Sequence, residues 1–480
     1  MVLNKQSIVK NFFWKLLERC GFQAVSLVVA VILARMLAPS DYGIIAICMI
    51  FIAISQIFAD NGLGTAIIQK KDVDNLDFST VFIANFGLSL FLYIVLFFCA
   101  PLIADFYGIP VLANVLRVLG LIVVINSLRN LQHVYVSRHF LFKKLFFAIM
   151  IAAIVSAVTG IGMAYSGFGI WALVGQQLSL NVATVAMLWL LVPWRPSLCF
   201  SLERFRRLFS FGWKLLLSAI MGTLYEQLMP LVIGKFYSPS DLAYFNQGQR
   251  FPQIIISNIS SSIDIVLFPV MSKHQDNVAV LREMTRKAIQ TSIFIIAPLM
   301  MLIAFSAGNI VTLVLTEKWL PAVPFVCIFC VNYMFWPVLT ANINAINALG
   351  RSDIFLKLEI AKKILGVTIL LLTMQYGIMA MAYGTLASGL VSQIINSYPN
   401  IKLLNYGYLQ QLRDFLPTVL LAVAAGSAAM LVDMSFHDEW NLLVVICMQF
   451  AAGIFVYLLA GVVFKLKALQ DAYQLLKNMI

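Results

Sequence analysis

Six polar residues punctuate one otherwise apolar stretch of this chain at intervals of 4, 3, 4, 4 and 3: Asn246, Arg250, Gln253, Ser257, Ser261 and Asp264. On an α-helix, at 100° per residue, all six fall within a sector of about 80°. Such a stripe lines either a hydrated cavity or a helix–helix seam. Seams favour Gly, Ala and Ser, so Arg250 and Asp264 at its two ends argue for the cavity. Guanidinium is a natural partner for phosphate or pyrophosphate.

Other apolar stretches repeat the idea more sparsely. Arg19, Gln23, Ser26 and Ala30 share a face beside Glu18, although Glu18 and Arg19 sit so near the start that both can snorkel to an interface. Arg117 and Arg129 lie on one stretch, where Asn126, Arg129 and His133 share a face; the corresponding later stretch carries Asn332, Asn342, Asn344 and Asn347 and no charge. Such amides suit sugar hydroxyls or interhelical hydrogen bonds, the second being the commoner use. Glu226, beside Tyr225 and one turn beyond Gly222, falls near the middle of its stretch. It reads either as half of a static ion pair with an Arg or as a proton carrier for energy coupling, with Asp264 the weaker coupling candidate.

The elements that position these groups must be membrane helices. The chain is 61% hydrophobic and 11% charged, with mean hydropathy +0.92, which no water-soluble fold of this length conceals. Spans are expected near 16–37, 42–67, 79–103, 111–136, 145–165, 169–193, 212–236, 242–270, 288–315, 322–349, 355–375, 378–399, 415–433 and 441–463. Each covers the ~30 Å hydrocarbon layer as a helix, and nothing resembles the dyad alternation of a barrel. The expected fold is an all-α polytopic integral membrane protein with about fourteen transmembrane helices. Of 33 Lys and Arg, 26 fall on one set of connections and only Arg35, Lys235 and Lys318 on the other. That split places both termini in the cytoplasm. Pro230, Pro252, Pro298 and Pro337 fall inside spans and are expected to kink them. Residues 193–211 read as a basic amphipathic interfacial helix, with Arg204, Arg206 and Arg207 opposite Leu202, Phe205, Leu208 and Phe209.

The chain also repeats itself. Trp14-Lys15-Leu16-Leu17 returns as Trp213-Lys214-Leu215-Leu216, Pro39-Ser40-Asp41 as Pro239-Ser240-Asp241, and Gly169-Ile170 as Gly377-Ile378. Two six-helix bundles in parallel pseudo-repeat follow, related by an axis along the membrane normal: an N-lobe over 1–200 and a C-lobe over 201–402. Residues 403–480 add a helix pair and a cytoplasmic tail. In a chain this apolar, the repeat is the signature of a transporter built around a central site.

Several functions are excluded or disfavoured. No Walker sequence or Gly-rich phosphate loop is present, and no segment is long enough for a separate enzyme domain, so a transporter is expected and not an enzyme. A polymerase or membrane glycosyltransferase needs a sizeable or carboxylate-rich catalytic loop that this sequence lacks. A scaffold would leave the intramembrane charges unexplained. The net charge of +12 comes without basic runs interleaved with exposed aromatics, so nucleic acid is not a partner. Cys327 and Cys330 form a CxxC without a second ligand pair and read as small hydrophobes; no metal site and no cofactor follows.

The stretch Ala30-Val-Ile-Leu-Ala-Arg35-Met-Leu-Ala-Pro39-Ser-Asp41-Tyr42-Gly43 resembles the polysaccharide flippases of the MOP superfamily. So do Asp60-Asn-Gly62-Leu63-Gly64-Thr-Ala66-Ile-Ile-Gln69 and Glu317-Lys318-Trp319. The nearest branch looks like the Wzx-type O-antigen and colanic-acid exporters. The resemblance implies two bundles in a MATE-like V, in a bacterial inner (plasma) membrane. It implies alternating-access translocation of oligosaccharide repeat units on undecaprenyl pyrophosphate, for lipopolysaccharide or exopolysaccharide assembly. The implied partners are that lipid-linked glycan, the bilayer, and a polymerase and chain-length regulator. A cation-coupled multidrug or small-solute antiporter of the same superfamily is the alternative. The first two spans of each bundle line the family's cavity, which carries over to Arg19 and Arg250; Gln23, Asn246, Gln253 and Ser257 join them as polar lining, with Arg117 and Arg129 more weakly supported. The second span is apolar where the eighth is polar (Ile50 opposite Arg250), so the two lobes cannot contribute equally.

Overall fold

The computed structural model describes residues 5–60, 62–70, 72–436 and 440–464. The side chains of Asp60, Ser261 and Asp264 and the expected tail at 465–480 lie outside the described residues. Two compact units form, Met1–Ala243 and Tyr244–Ile480. Unit 1 contains α1 (Lys5–Met36), α2 (Pro39–Asp60), α3 (Leu63–Gln69), α4 (Asn75–Tyr107), α5 (Val111–Arg138), α6 (Phe142–Tyr165), α7 (Ile170–Leu191) and α8 (Leu202–Phe236). Next comes α9 (Pro239–Lys273), whose first residues belong to unit 1. Unit 2 continues with α10 (Val278–Phe305), α11 (Ala307–Leu315), a 3-10 turn (Glu317–Ala322), α12 (Val323–Met334), α13 (Trp336–Ala348), α14 (Ser352–Thr373), α15 (Ile378–Leu403), α16 (Tyr408–Phe436) and α17 (Leu442–Val463).

Among the described residues, twelve helical stretches are long and apolar enough to cross a membrane. The other two long helices, α9 and α14, are not among them: α9 carries the polar stripe, and α14 carries Lys357, Glu359, Lys362 and Lys363. Several expected spans are differently built. The second ends at Asp60 and restarts at Leu63, because Gly62 adopts φ 69°, a left-handed conformation that ends a helix. A Cβ on Gly62 would also meet the Gly212 carbonyl oxygen at 2.7 Å. The ninth span starts ten residues earlier than expected, at Val278, capped by the Asn277 side chain, which accepts from the Val280 N–H at 3.1 Å. Pro337 marks a real break between α12 and α13, whereas Pro230, Pro252 and Pro298 lie inside continuous helices. The amphipathic segment before span seven is no separate interfacial helix. Its residues from Leu202 onward are the first turns of α8.

Within unit 1, α8 packs on α2, α3 and α4, and α6 packs on α1 and α7. Within unit 2, α10 is central, packing against α12, α13 and α16, and α16 packs on α17. Small residues permit the close approaches that lipid-embedded helices need: a Cβ on Gly426 would strike Phe305, and one on Gly453 would strike Leu302. Basic groups gather at one end of unit 1. Arg138 donates to the Ile67 and Lys70 carbonyls, Lys144 to Leu191, and Arg204 pairs with Asp74 and Asp77. At the opposite end Lys235 donates to the Phe106 carbonyl and covers the Phe106 ring.

Candidate functional site: a polar cavity in unit 1 and a polar stripe in unit 2

Asn126, Arg129, Asn130 and His133 recur at 3, 1 and 3 residues along α5, so the helix presents them on one side. That side opens onto a cavity of about 300 Å³. Gln56 of α2 enters it, Thr184 and Leu188 of α7 and Leu145 and Ile149 of α6 complete the wall, and Leu145 and Leu188 are fully packed. The Thr184 hydroxyl is turned back onto the Leu180 carbonyl at 2.6 Å, leaving the amides, the guanidinium and the imidazole as the groups with chemistry to offer. Asn126 Oδ1 is buried with no hydrogen-bond partner. A buried acceptor without a partner costs ~1–3 kcal/mol, and a ligand or water donor in the cavity removes that cost. Lys15 of α1 lies close enough for its charge, like that of Arg129, to act on His133. Lys15 also pairs with the buried Glu18 at 2.6 Å.

Other sequence candidates are placed as follows. On α1, Arg19 is exposed and Gln23 half-buried. Arg117 is fastened to α4: its Nε donates to the Phe97 carbonyl at 3.3 Å and its guanidinium lies 4.7 Å from the Phe97 ring centroid. Twelve residues separate it from Arg129, about 18 Å along the helix. Glu226 is exposed on α8, and a Cβ on the neighbouring Gly222 would have nothing within 4 Å.

In unit 2, α9 divides its faces. Phe245 packs on Phe325 and Phe329, Gly248 touches Phe325, and Gln249 donates to the Tyr333 hydroxyl at 2.7 Å. The other side carries the stripe: Arg250, Gln253 and Ser257 are exposed and Asn246 is half-buried. One face therefore binds α12 while the polar face stays accessible. Cys327 and Cys330 are packing groups, the first donating to the Ala304 carbonyl at 3.3 Å and the second buried.

The asparagines of α13 behave differently. Asn342 Nδ2 donates to Gln411 Oε1 at 2.8 Å, while Asn342 Oδ1 accepts from Gln411 Nε2 at 2.9 Å and Asn400 Nδ2 at 2.7 Å. Nearby, the Tyr406 hydroxyl donates to Asp414 at 2.7 Å, and Arg286 pairs with Asp414 at 2.5 Å. Burial, then the bond to Asp414, raises the Tyr406 phenol above its ordinary range. Asn309 ties α11 to Asp433 at 2.5 Å and to Gln449 at 3.3 Å. These amides join helices to one another.

Sequence reasoning singled out Arg129 with Asn126 and His133 but missed Gln56. A single amide in an apolar helix has no periodicity to give it away. Its neighbour Ser55 is absorbed by the Phe51 carbonyl at 2.9 Å.

Residues 32–324 match the family described as polysaccharide biosynthesis protein. The chain belongs to that family. The match bears out the resemblance to MOP-superfamily polysaccharide flippases. Among individual relatives, the succinoglycan biosynthesis transport protein ExoT of Rhizobium meliloti (strain 1021) is 26% identical over 302 residues, spanning 62% of this chain and 60% of that protein. The lipopolysaccharide biosynthesis protein WzxC of Escherichia coli (strain K12) is 24% identical over 436 residues, spanning 88% of each. The fold is similar to that of a solved structure described as the lipid II flippase MurJ, inward closed conformation, with a TM-score of 0.74 at 15% identity over 95% of this chain and 99% of that one. A multidrug resistance MATE transporter of the MOP superfamily, inward-facing, gives 0.58 at 15% identity over 80% and 95%.

Proposed function

We propose that this family member is a flippase that moves undecaprenyl-pyrophosphate-linked oligosaccharide repeat units across the bacterial inner membrane by alternating access. In this reading α9 and α14 join the twelve apolar stretches as spans, both termini are cytoplasmic, and the lobes divide as the sequence repeat suggests. The observation that carries the reading is a cavity walled by apolar helices that offers Arg129 and His133 beside the amides of Gln56, Asn126 and Asn130. A guanidinium in a low-dielectric wall suits phosphate oxygens, and amides offer both donors and acceptors to sugar hydroxyls. Within unit 2, Arg250 and Gln253 on the accessible face of α9 carry the same kind of groups, as Arg19 and Gln23 do on α1 of unit 1. The names of the two relatives, and lipid II as the cargo in the name of MurJ, support the same class of substrate. Glu226 is the carboxylate proposed for coupling to a proton gradient.

The test is flipping of a fluorescent undecaprenyl-pyrophosphate oligosaccharide by the purified chain in proteoliposomes. Arg129→Ala is expected to lower the rate about tenfold to a hundredfold, equivalent to the ~1.5–3 kcal/mol of one charged hydrogen bond, with thermal stability in detergent unchanged. Arg250→Ala should do the same and Arg250→Lys less, because lysine keeps the charge and loses the fork. Normal flipping by Arg129→Ala removes the cavity from the transport path. Drug-cation uptake without lipid flipping replaces the proposal with antiport.

A further inference from the structure

The connection from α7 to α8 is stitched along its length to the rest of unit 1. Lys144 Nζ donates to the Leu191 carbonyl at 2.7 Å, Gln132 Nε2 to the Trp194 carbonyl at 3.1 Å, and Trp194 Nε1 to Asn75 Oδ1 at 2.8 Å. The Ser79 and Ser197 hydroxyl oxygens lie 2.9 Å apart, and the Ser197 N–H donates to Ser79 Oγ at 3.0 Å. The Ser201 N–H donates to Thr80 Oγ1 at 3.2 Å. Arg204 then pairs with Asp74 at 2.5 Å and with the fully buried Asp77 at 3.1 Å, whose other partner is Lys70 at 2.5 Å. Beneath these bonds Trp194 and Leu208 are buried in one core with Leu63, Phe78, Val81, Leu131 and Leu145, and Phe205 packs against it. Side chains that face away from this core are exposed both within the segment, as Leu198, Phe200 and Leu202 are, and beyond Gly212, where Trp213, Leu215, Leu217, Met221 and Leu224 are.

We propose that residues 192–208 are a permanent anchor, closed at every stage of the transport cycle, so that any movement of α8 begins beyond Leu208. The sequence places this segment between two lobes, where a hinge would be expected. The physical argument is that undocking it uncovers Trp194 and Leu208 and leaves Asp77 without one of its two cations. An element that opens on every turnover belongs to the weakly held parts of a fold, with few buried contacts and exposed hydrogen bonds. This one has the opposite properties. The inference rests on the chain being a transporter but not on its cargo.

The experiment is a reversible staple. Ser79→Cys with Ser197→Cys, in a Cys199→Ser background, places two thiols within disulfide reach. Export of cell-surface polysaccharide is compared in cells before and after mild oxidation and after dithiothreitol. The pair is expected to crosslink rapidly, with export by the crosslinked chain within about twofold of the reduced one. A larger loss that dithiothreitol restores overturns the proposal, as does failure of the pair to crosslink. Hydrogen exchange on the unmodified purified chain supplies an arm that needs no substrate. Amides 202–208 should exchange as slowly as those of 80–84 and at least about tenfold slower than those of 213–229. Equal exchange across α8 overturns the anchor without bearing on the proposed cargo.

Discussion

The polar faces of α5 and α13 look interchangeable on paper, yet the structure uses them for opposite purposes. On α13, both atoms of the Asn342 amide are engaged, and the partners come from α15 and α16. On α5, Asn126 keeps an acceptor buried and unpartnered beside a cavity, with Arg129 and His133 opening onto the same space. The comparison teaches that polarity inside a membrane protein does not itself signal a binding site. What separates the two amides, glue between helices on α13 and cavity lining on α5, is whether protein partners take up both ends of the side chain, as they do at Asn342 and do not at Asn126 Oδ1.

The largest expected effect is at the glue. Asn342→Leu strands Gln411 Oε1 and leaves Gln411 Nε2 and Asn400 Nδ2 only the carbonyls of Tyr406 and of residue 342. It should cost about 1–3 kcal/mol of stability, read as a lower midpoint in thermal or denaturant unfolding, with export falling only in step with protein level. A stable variant that fails to export would mean that α13 touches substrate, and the contrast would collapse. Asn126→Leu should be the mirror image. Stability should change by less than about 1 kcal/mol, because its acceptor is already unpartnered, while flipping of the lipid-linked oligosaccharide falls several-fold. Loss of stability without a specific flipping defect would place α5 with the glue.

A third polar group of unit 1 gives the smallest effect. Asp74 caps α4, its side chain accepting from the Asp77 N–H at 2.9 Å. That bond, and then Arg204, hold its carboxyl below the usual carboxylate range. Asp74→Ala should cost about 1 kcal/mol at neutral pH. A depressed folded-state pKa stabilises above the ordinary carboxylate value near ~3.9, and that contribution disappears as pH falls through the depressed value. The gap between wild type and Asp74→Ala in unfolding midpoint should therefore narrow on acidification from pH 5 toward pH 3 and stay constant above pH 5. A gap that widens on acidification contradicts the cap.

How far these differences were legible in the sequence depends on the range of the interaction. The α5 face was readable because Asn126, Arg129 and His133 lie within two turns of each other, and the α9 stripe because its period is helical. The family emerged from short motifs such as Ala38-Pro39-Ser40-Asp41. The break at Gly62 is hidden from hydropathy, because a φ of 69° leaves no trace in it. The fate of Asn342 was open because Asn400 and Gln411 lie 58 and 69 residues away, and no local pattern pairs them. The pairing of Arg204 is hidden for the same reason: Asp74 lies 130 residues upstream.

The bonds from α13 to α16 also set a timetable. A membrane protein is threaded into the bilayer from its amino end, at about 5–20 residues per second. Asn342 therefore precedes Gln411, 69 residues later, by roughly 3 to 14 seconds. Until Asn400 follows, 58 residues later, its amide has the carbonyl of Val338, one turn back at 2.7 Å, but neither of the long-range partners that complete it. Unit 2 cannot finish assembling until α16 arrives. The polar seam of unit 2 thus closes on a helix that the chain supplies long after α13, and α13 is a finished element only in its presence.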